Sequence, residues 1–402
     1  MAIFDIFKRK KQRSLSTSII PLTYDGIFNN FGSNILNSDT VKICIDRIAG
    51  HASKLKPRHV IKVGSAIKEA TSKLSYLFKY QPNEIMSPSA FIYKVVSLLF
   101  LNNNVFIYPE IDNEGNVKAL YPIKPHTVEV KKDNTGSIFL DMYFEDGKNY
   151  LIPYELVIHL RRYFYTNEIF GGNGAIADHQ AILKTIGIND SILQGIDNAI
   201  RSSFQIKGLL KMNAMLSQED KNRQKEIFDT ALQASIKDNN SAIIPVDLKA
   251  DYVPLTNEPK LVDAATLDFL NKKILSYFGV SEPIYLNKYT EEEFNAFYEG
   301  TIEQISIQLS EEFSRVLLTH KQLEEGEQII FYSERLQYAS WNTKVNAIEK
   351  LMGLGLMSLN ESRALLGLEP IEGGDKRLQS LNFVDQTKAN LYQVGHDDET
   401  KV

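Results

Sequence analysis

Apolar positions along the chain change their period several times, and each change marks a change of element. In VKICIDRIAGHASKL, residues 41–55, Val41, Ile45, Ile48, Ala52 and Leu55 recur at helical spacing. The capping side chains of Ser38-Asp39-Thr40 precede them, so order is expected to begin there. A second helix is expected to open at Ser87-Pro88, a cap followed by a proline whose missing amide needs no partner at the first helical position. Its apolar face runs Phe91, Val95 and Leu98, and it ends near Asn102-Asn103-Asn104.

The period then shortens. NVFIYPEI, NVKALYPI, HTVEV, SIFLDMYF and NYLIPYELVIHL are short, rich in β-branched and aromatic residues, and separated by DNEG, KKDNTG and EDG. Such runs predict successive hairpins of an antiparallel sheet. Helices on either side of it make residues 39–210 an α+β domain. Helical spacing returns at Ile182, Ile186, Leu193, Ile196 and Ile200, and a further helix is predicted over 217–237. The first half of that helix is polar all round, which requires solvent, a neighbouring chain or a lumen about it.

Two strand-like runs, AIIPVD and ADYVPL, follow around a turn, and a helix resumes over 262–278. This β excursion is too small to hold its own core. GVSEPIYLNKYT reads as a loop. A long helix then runs from Glu291-Glu292-Glu293, acids suited to the positive end of the helix macrodipole, to about His320. Strand-like IIFYSERL and a helix across Trp341–Leu351 come next. In GLGLMSLNESRALLGLEPIEGGD, residues 353–375, Ser358 and Glu361 make a capping box, Gly367 stops the helix and Pro370 prevents its restart. The first 38 residues read as an irregular arm, with Lys8, Arg9, Lys10, Lys11 and Arg13 near its start.

At 402 residues the chain exceeds what one core usually holds, so two or more domains or subdomains are expected. Apolar residues make up 43% and charged residues 24%, ordinary globular values that argue against wholesale disorder. A single cysteine excludes an internal disulfide, and Cys44, on an apolar helix face, reads as a buried structural thiol. The longest apolar run, FIYKVVSLLFL, is too short to span a bilayer and carries Lys94. The net charge of −5 argues against a protein that coats itself on nucleic acid, but not against one that handles it without gripping it.

Candidate chemistry is sparse. FGGNGAIADHQ places Gly171, Gly172 and Gly174 before a helix, where a phosphate could sit. The stretch lacks both the GxxxxGK[ST] and the G-x-G-x-x-G pattern, so a plain strand-to-helix turn is the better reading. The seven histidines show no metal-ligand spacing, and one cysteine forbids CxxC. Glu291, Glu292 and Glu293 point in different directions on a helix, which argues against a metal cluster. Neither G-x-S-x-G nor a kinase signature occurs. The expectation is no catalytic residue, no cofactor and no metal.

Several segments, in order, resemble the HK97-type family of tailed-phage portal proteins. They are the opening MAIFDIFKRKK, CIDRIAGHASKLKPRHV, YQPNEIMSPSAFIYKVVSLLFLNNNVFIYP and FGGNGAIADHQAI, then FLNKKILSYFGVSEPIYLNKYTEEEFNAFYEGTI and GLGLMSLNESRALLGLEPIEGGD. The resemblance implies an α+β portal fold: a wing containing an antiparallel sheet, a two-helix stem, a small β clip, a long helix and a helical crown. Placed on this chain, it implies an arm at 1–38, a wing at 39–210, stem helices within 211–279, and a clip at about 238–260. A tunnel loop follows at 280–290, whose deletion is expected to leave folding and ring assembly intact while impairing DNA packaging, then the long helix and return to the wing at 291–338, and crown and tail at 339–402. On that scheme Glu282, Tyr285, Leu286, Asn287, Lys288 and Tyr289 are channel-loop candidates. Ile243, Ile244, Val246, Tyr252 and Val253 become candidates for clip contacts between subunits.

The function implied is a non-enzymatic ring, usually a dodecamer, at one capsid vertex of the virion, assembled in the host bacterial cytoplasm. Double-stranded DNA passes through it during packaging and ejection without sequence recognition. The implied partners are further copies of the chain, the terminase large subunit, a head-tail adaptor, and the major capsid protein or scaffold, with no stable membrane insertion. Two other classes stay open: a membrane-surface scaffold anchored by the basic arm, and a nucleotide-handling enzyme using the glycines at 171–174.

Overall fold

A computed structural model describes residues 20–21, 27–29, 35–63, 66–165, 167–172, 180–205, 208–212, 217–220, 222–223, 226, 230, 250–254, 264–332 and 341–379. The chain divides into two compact units, residues 1–183 with 272–402, and residues 184–271.

In the larger unit, β1 (Ile20–Pro21) and β2 (Ile27–Asn29) correct the expectation of a wholly irregular arm, because both pair antiparallel with residues 127–132. Residues 1–19, with the basic cluster, lie outside the described residues. Helix α1 (Asp39–Ala52) starts at the expected place and buries Val41, Cys44, Ile45, Ile48, Ala49 and Ala52. Ser38 is its N-cap residue by position but makes no capping bond; instead the Asp39 carboxylate accepts from the Thr40 amide at 2.7 Å.

The next elements, β3 (Lys56–Val63), β4 (Ala66–Glu69) and α2 (Lys73–Lys79), carry no clear period in the sequence. Lysines and arginines interrupt the alternation here, and the third strand of this sheet comes from residues 327–332, far along the chain. His59 ties the three pieces together, with Nδ1 2.8 Å from Ser72 Oγ and Nε2 2.8 Å from Glu327 Oε2.

Helix α3 (Pro88–Asn102) has Ser87 as its cap and ends on Asn103 in the left-handed conformation, φ 55°. Strands β5 (Asn104–Ile111), β6 (Val117–Ile123), β7 (Thr127–Lys132), β8 (Ile138–Tyr143), β9 (Asn149–Pro153) and β10 (Ile158–Arg161) fall where alternation placed them. They form two sheets rather than the single one expected. A 3₁₀ turn at Tyr154–Leu156 breaks NYLIPYELVIHL, so β9 stays beside β8 while β10 crosses to β5. Gly115, Gly136 and Gly147 take positive φ in the turns that DNEG, KKDNTG and EDG foretold. One apolar cluster, including Phe106, Tyr121, Val128, Leu140, Met142 and Phe170, draws on both sheets.

Helix α4 (Gln180–Gln205) leads to β11 (Gly208–Met212), which pairs antiparallel with β12 (Ala250–Pro254) before α5 (Ala264–Phe278) begins. ADYVPL is thus a strand, but its partner is GLLKM, whose short apolar run was not read as β. AIIPVD and most of the expected 217–237 helix lie outside the described residues; residues 218–220 are helical, with the Ser217 hydroxyl accepting from the Asp220 amide.

The segment read as a loop at 280–290 contains a short helix, α6 (Glu282–Tyr285), with Pro283 in its first turn. Ile284 on it is fully buried and Val280 nearly so, so the segment is part of the core and not a removable loop. Helix α7 (Glu291–Phe297) opens with a complete Thr290–Glu293 capping box. A π-turn at Tyr298–Ile302 joins it to α8 (Glu303–Leu317), and a separate α9 (His320–Glu324) follows. The long helix is therefore one axis with an extra residue in its ladder, a geometry that periodicity does not reveal. Strand β13 (Glu327–Tyr332) completes the sheet of β3 and β4. Last come α10 (Trp341–Gly353), β14 (Leu354–Ser358), α11 (Leu359–Leu365) and β15 (Arg377–Gln379), with β14 and β15 paired.

Candidate functional site

The groups that could carry chemistry are occupied by structure. Cys44 is fully buried, and burial pushes its thiol up to about 12, far from a reactive thiolate. His159 is buried, stacked on Phe106 at 4.4 Å, and bonded to Asn104 and Tyr154; burial first, then Arg161 and Arg315, hold its pKa well below the usual range. Among the described residues no group of three or more His, Cys, Asp or Glu side chains could hold a metal ion. Nor, among them, is any helix long and apolar enough to cross a membrane.

In the described part of the glycine turn both amides are already used. The Gly171 amide donates to Asn104 Oδ1 at 2.8 Å, and the Gly172 amide donates to the carbonyls of Arg162 and Tyr163 at 2.9 and 3.2 Å. No amide of this pair is left for an anion. Gly171 is needed for another reason: a Cβ there would lie 2.3 Å from the Arg162 carbonyl oxygen and 2.4 Å from that of Asn103. Gly174 lies outside the described residues.

The six channel-loop candidates separate into anchors and a tip. Tyr285 is half-buried and its carbonyl accepts from Arg47 Nε on α1 at 3.3 Å. Tyr289 stacks on Phe294 at 5.5 Å and meets the edge of His51 at 6.0 Å. Leu286 (54% exposed), Asn287 (left-handed, φ 57°) and Lys288 form the exposed tip. The exposed Glu282 lies 3.8 Å from Lys272. Of the clip candidates, Tyr252 and Val253 lie in β12 opposite Leu210 and Leu209, while Ile243, Ile244 and Val246 lie outside the described residues.

The C-terminal elements show the clearest unfinished surface. Helix α10 buries none of its residues. Trp341 is 63% and Leu356 61% exposed, and Val345, Leu354, Leu368 and Ile371 are exposed too. Yet the backbone here is tightly specified. The Ser358–Glu361 capping box is complete, and Gly367 takes φ 74° at the helix stop. Asn360 donates to the Ile371 carbonyl and the Asp375 carboxylate, accepts from the Ile371 amide, and its own amide bonds the Gly374 carbonyl. A Cβ at Gly374 would sit 2.4 Å from Asn360 Oδ1, which explains the Gly-Gly. A rigid backbone presenting apolar side chains outward is a surface built for another surface.

The family described as phage portal protein matches residues 39–367, most of the chain. The chain belongs to the phage portal protein family. A probable portal protein of Lactococcus phage p2 is 25% identical over 369 residues, covering 88% of this chain and 87% of that protein, and its counterpart in Lactococcus phage SK1 matches equally. The fold also matches a chain in the neck of an empty gene transfer agent particle computed with C6 symmetry, with TM-score 0.60, 16% identity, and 84% of this chain and 92% of that one covered. A native neck computed with C12 symmetry gives TM-score 0.58 at 14% identity, with the same coverage. The portal family supplies the capsid-vertex conduit for DNA, generally a structural role.

Proposed function

We propose that this portal protein acts as a closed head-to-tail ring of twelve copies at one vertex of the virion, through which double-stranded DNA is packaged and later ejected. The observation that carries this reading is the set of exposed apolar side chains on α10, on β14 and in the turn after α11, which a neighbour in a ring can bury. Residues 339–402 take the crown role. Because β11 and β12 pair, the helices that enter and leave the excursion are α4 and α5, so these take the stem role and residues 208–254 the clip. Residues 217–237 then belong with the clip and not the stem. The tip Leu286–Lys288 faces the channel.

DNA of any sequence must slide past, and an acidic subunit with weak contacts suits that better than a gripping basic one. The ring docks the terminase large subunit during packaging, a head-tail adaptor afterwards, and the major capsid protein or scaffold around it, without catalysis of its own. Negative-stain microscopy of the purified full chain tests the reading. Rings with a central channel are expected; a chain that stays monomeric at every concentration and salt tested would overturn it.

A further inference from the structure

Arg161 and Arg162 are neighbours in sequence with opposite circumstances. Arg161 is satisfied within the chain: its guanidinium lies 3.7 Å from a Glu312 carboxylate oxygen and 4.1 Å over the Phe164 ring. Arg162 has no acid. Its guanidinium is packed 3.9 Å over Phe100 and 4.5 Å over Tyr163. Nη2 donates to the Tyr163 hydroxyl at 3.0 Å and the Tyr277 carbonyl at 3.2 Å. Nη1 is buried and has no hydrogen-bond partner. A partly buried guanidinium packed on aromatic rings without a carboxylate, and with one buried donor left over, is expensive to keep.

The arginine lines a cavity of about 300 Å³, together with Phe100, Ser276, Gly300, Gln304 and others. The π-turn of the long helix forms one wall, and a Cβ at Gly300 would meet nothing within 4 Å, so that wall is open. The lining holds two guanidiniums, of which Arg161 is already paired with Glu312 and only Arg162 lacks an acid, together with the hydroxyls of Ser276 and Thr301 and the amides of Gln304 and Gln308. That set matches one carboxylate, not a polyphosphate. A duplex phosphate lies on a wide cylinder and does not enter a cavity of this size, whereas a carboxylate on a short side-chain stem can. A free carboxylate held by a single guanidinium would be weakly bound; one tethered on an adjoining subunit gains from high effective concentration.

We propose that this cavity receives an aspartate or glutamate side chain of the neighbouring copy, so that each subunit completes the charge pairing of the next. This rests on the ring reading above. It adds a specific, buried ionic contact to an interface otherwise inferred from apolar surface.

The test uses the full chain with Arg162→Lys, which keeps the charge and supplies an amine. Carbodiimide treatment joins an amine to a carboxylate in contact with it, with loss of water. In rings mixed from isotopically light and heavy subunits, mass spectrometry is expected to find a light–heavy peptide joined through position 162. Gln304→Lys, at the exposed mouth, provides a second attachment point should the first variant fail to fold. Arg162→Met is expected to raise the concentration for half-assembly about tenfold or more, with the subunit's circular dichroism unchanged. Rings giving only intrachain products, or assembling equally well with Arg162→Met, would overturn the proposal while leaving the ring reading intact. Saturable stabilisation of the isolated subunit by acetate or phosphate, alongside normal assembly of Arg162→Met, would assign the cavity to a free anion and likewise overturn it. Absence of rings from the wild-type chain would remove both readings together.

Discussion

Single residues here are chosen for close approach and for burial rather than for reactivity. Gly171 shows the first: two carbonyl oxygens lie within 2.4 Å of where its Cβ would go. Gly171→Ala must push the β10 end and the α3 cap apart, and is expected to lower stability by about 1–3 kcal/mol. An unchanged urea midpoint for the isolated subunit would show that the turn yields freely. His51 shows the second. Burial first, then Lys54 and Arg47, lower its pKa to about 4, among the rings of Tyr289, Phe294 and Phe297. A histidine in the unfolded chain titrates near 6.5, so between about pH 6.5 and 4 the unfolded state takes up a proton that the folded state refuses. The contribution of His51 to stability is therefore full above that window and is lost as pH falls through it. His51→Phe is expected to flatten this slope relative to wild type, read from urea midpoints at several pH values; identical slopes would sink the assignment.

Among the elements, the segment from Val280 to Thr290 changed most between pattern and structure. Alternation and helical period are both absent from GVSEPIYLNKYT, because its order comes from α6 docking on α1 and from the Tyr289–Phe294 stack, contacts distant in sequence. Anchor and tip should therefore respond differently. Ile284→Ala, at a fully buried position, is expected to cost about 2–5 kcal/mol. Changing Leu286, Asn287 and Lys288 to serine is expected to move subunit stability by no more than about 0.5 kcal/mol per position while reducing DNA packaged per head. Equal effects of both changes on the thermal midpoint would refute this division. Capping boxes were more legible, since Ser358–Glu361 is a local matter of four residues; the π-turn was not, since an extra residue in a helix leaves no mark on the apolar period.

On the scale of the molecule, the C-terminal elements are well-ordered backbone with an uncovered apolar surface. Trp341→Ser with Leu356→Ser removes two exposed side chains and no described internal core, so the subunit's thermal midpoint is expected to hold within a few degrees. If the proposed ring covers this face, assembly should weaken by about tenfold or more in sedimentation. A fall in subunit stability with assembly unaffected would show instead that this surface folds back on its own chain.

By itself, the sequence determined what depends on neighbours a few residues away: the start of α1, the Ser87-Pro88 opening and Asn103 close of α3, the hairpin turns, and the Ser358–Glu361 cap. Its motifs, taken in order, also carried the family. Tertiary structure alone decided what depends on distant partners. It split one predicted sheet into two at Tyr154–Leu156, gave β13 to β3, paired β12 with GLLKM, and packed Arg162 among aromatic rings without an acid. The physical reason is range. Caps and turns are closed by hydrogen bonds within one or two turns of backbone, whereas strand partners and buried charges are settled by which surfaces meet once the whole chain has collapsed.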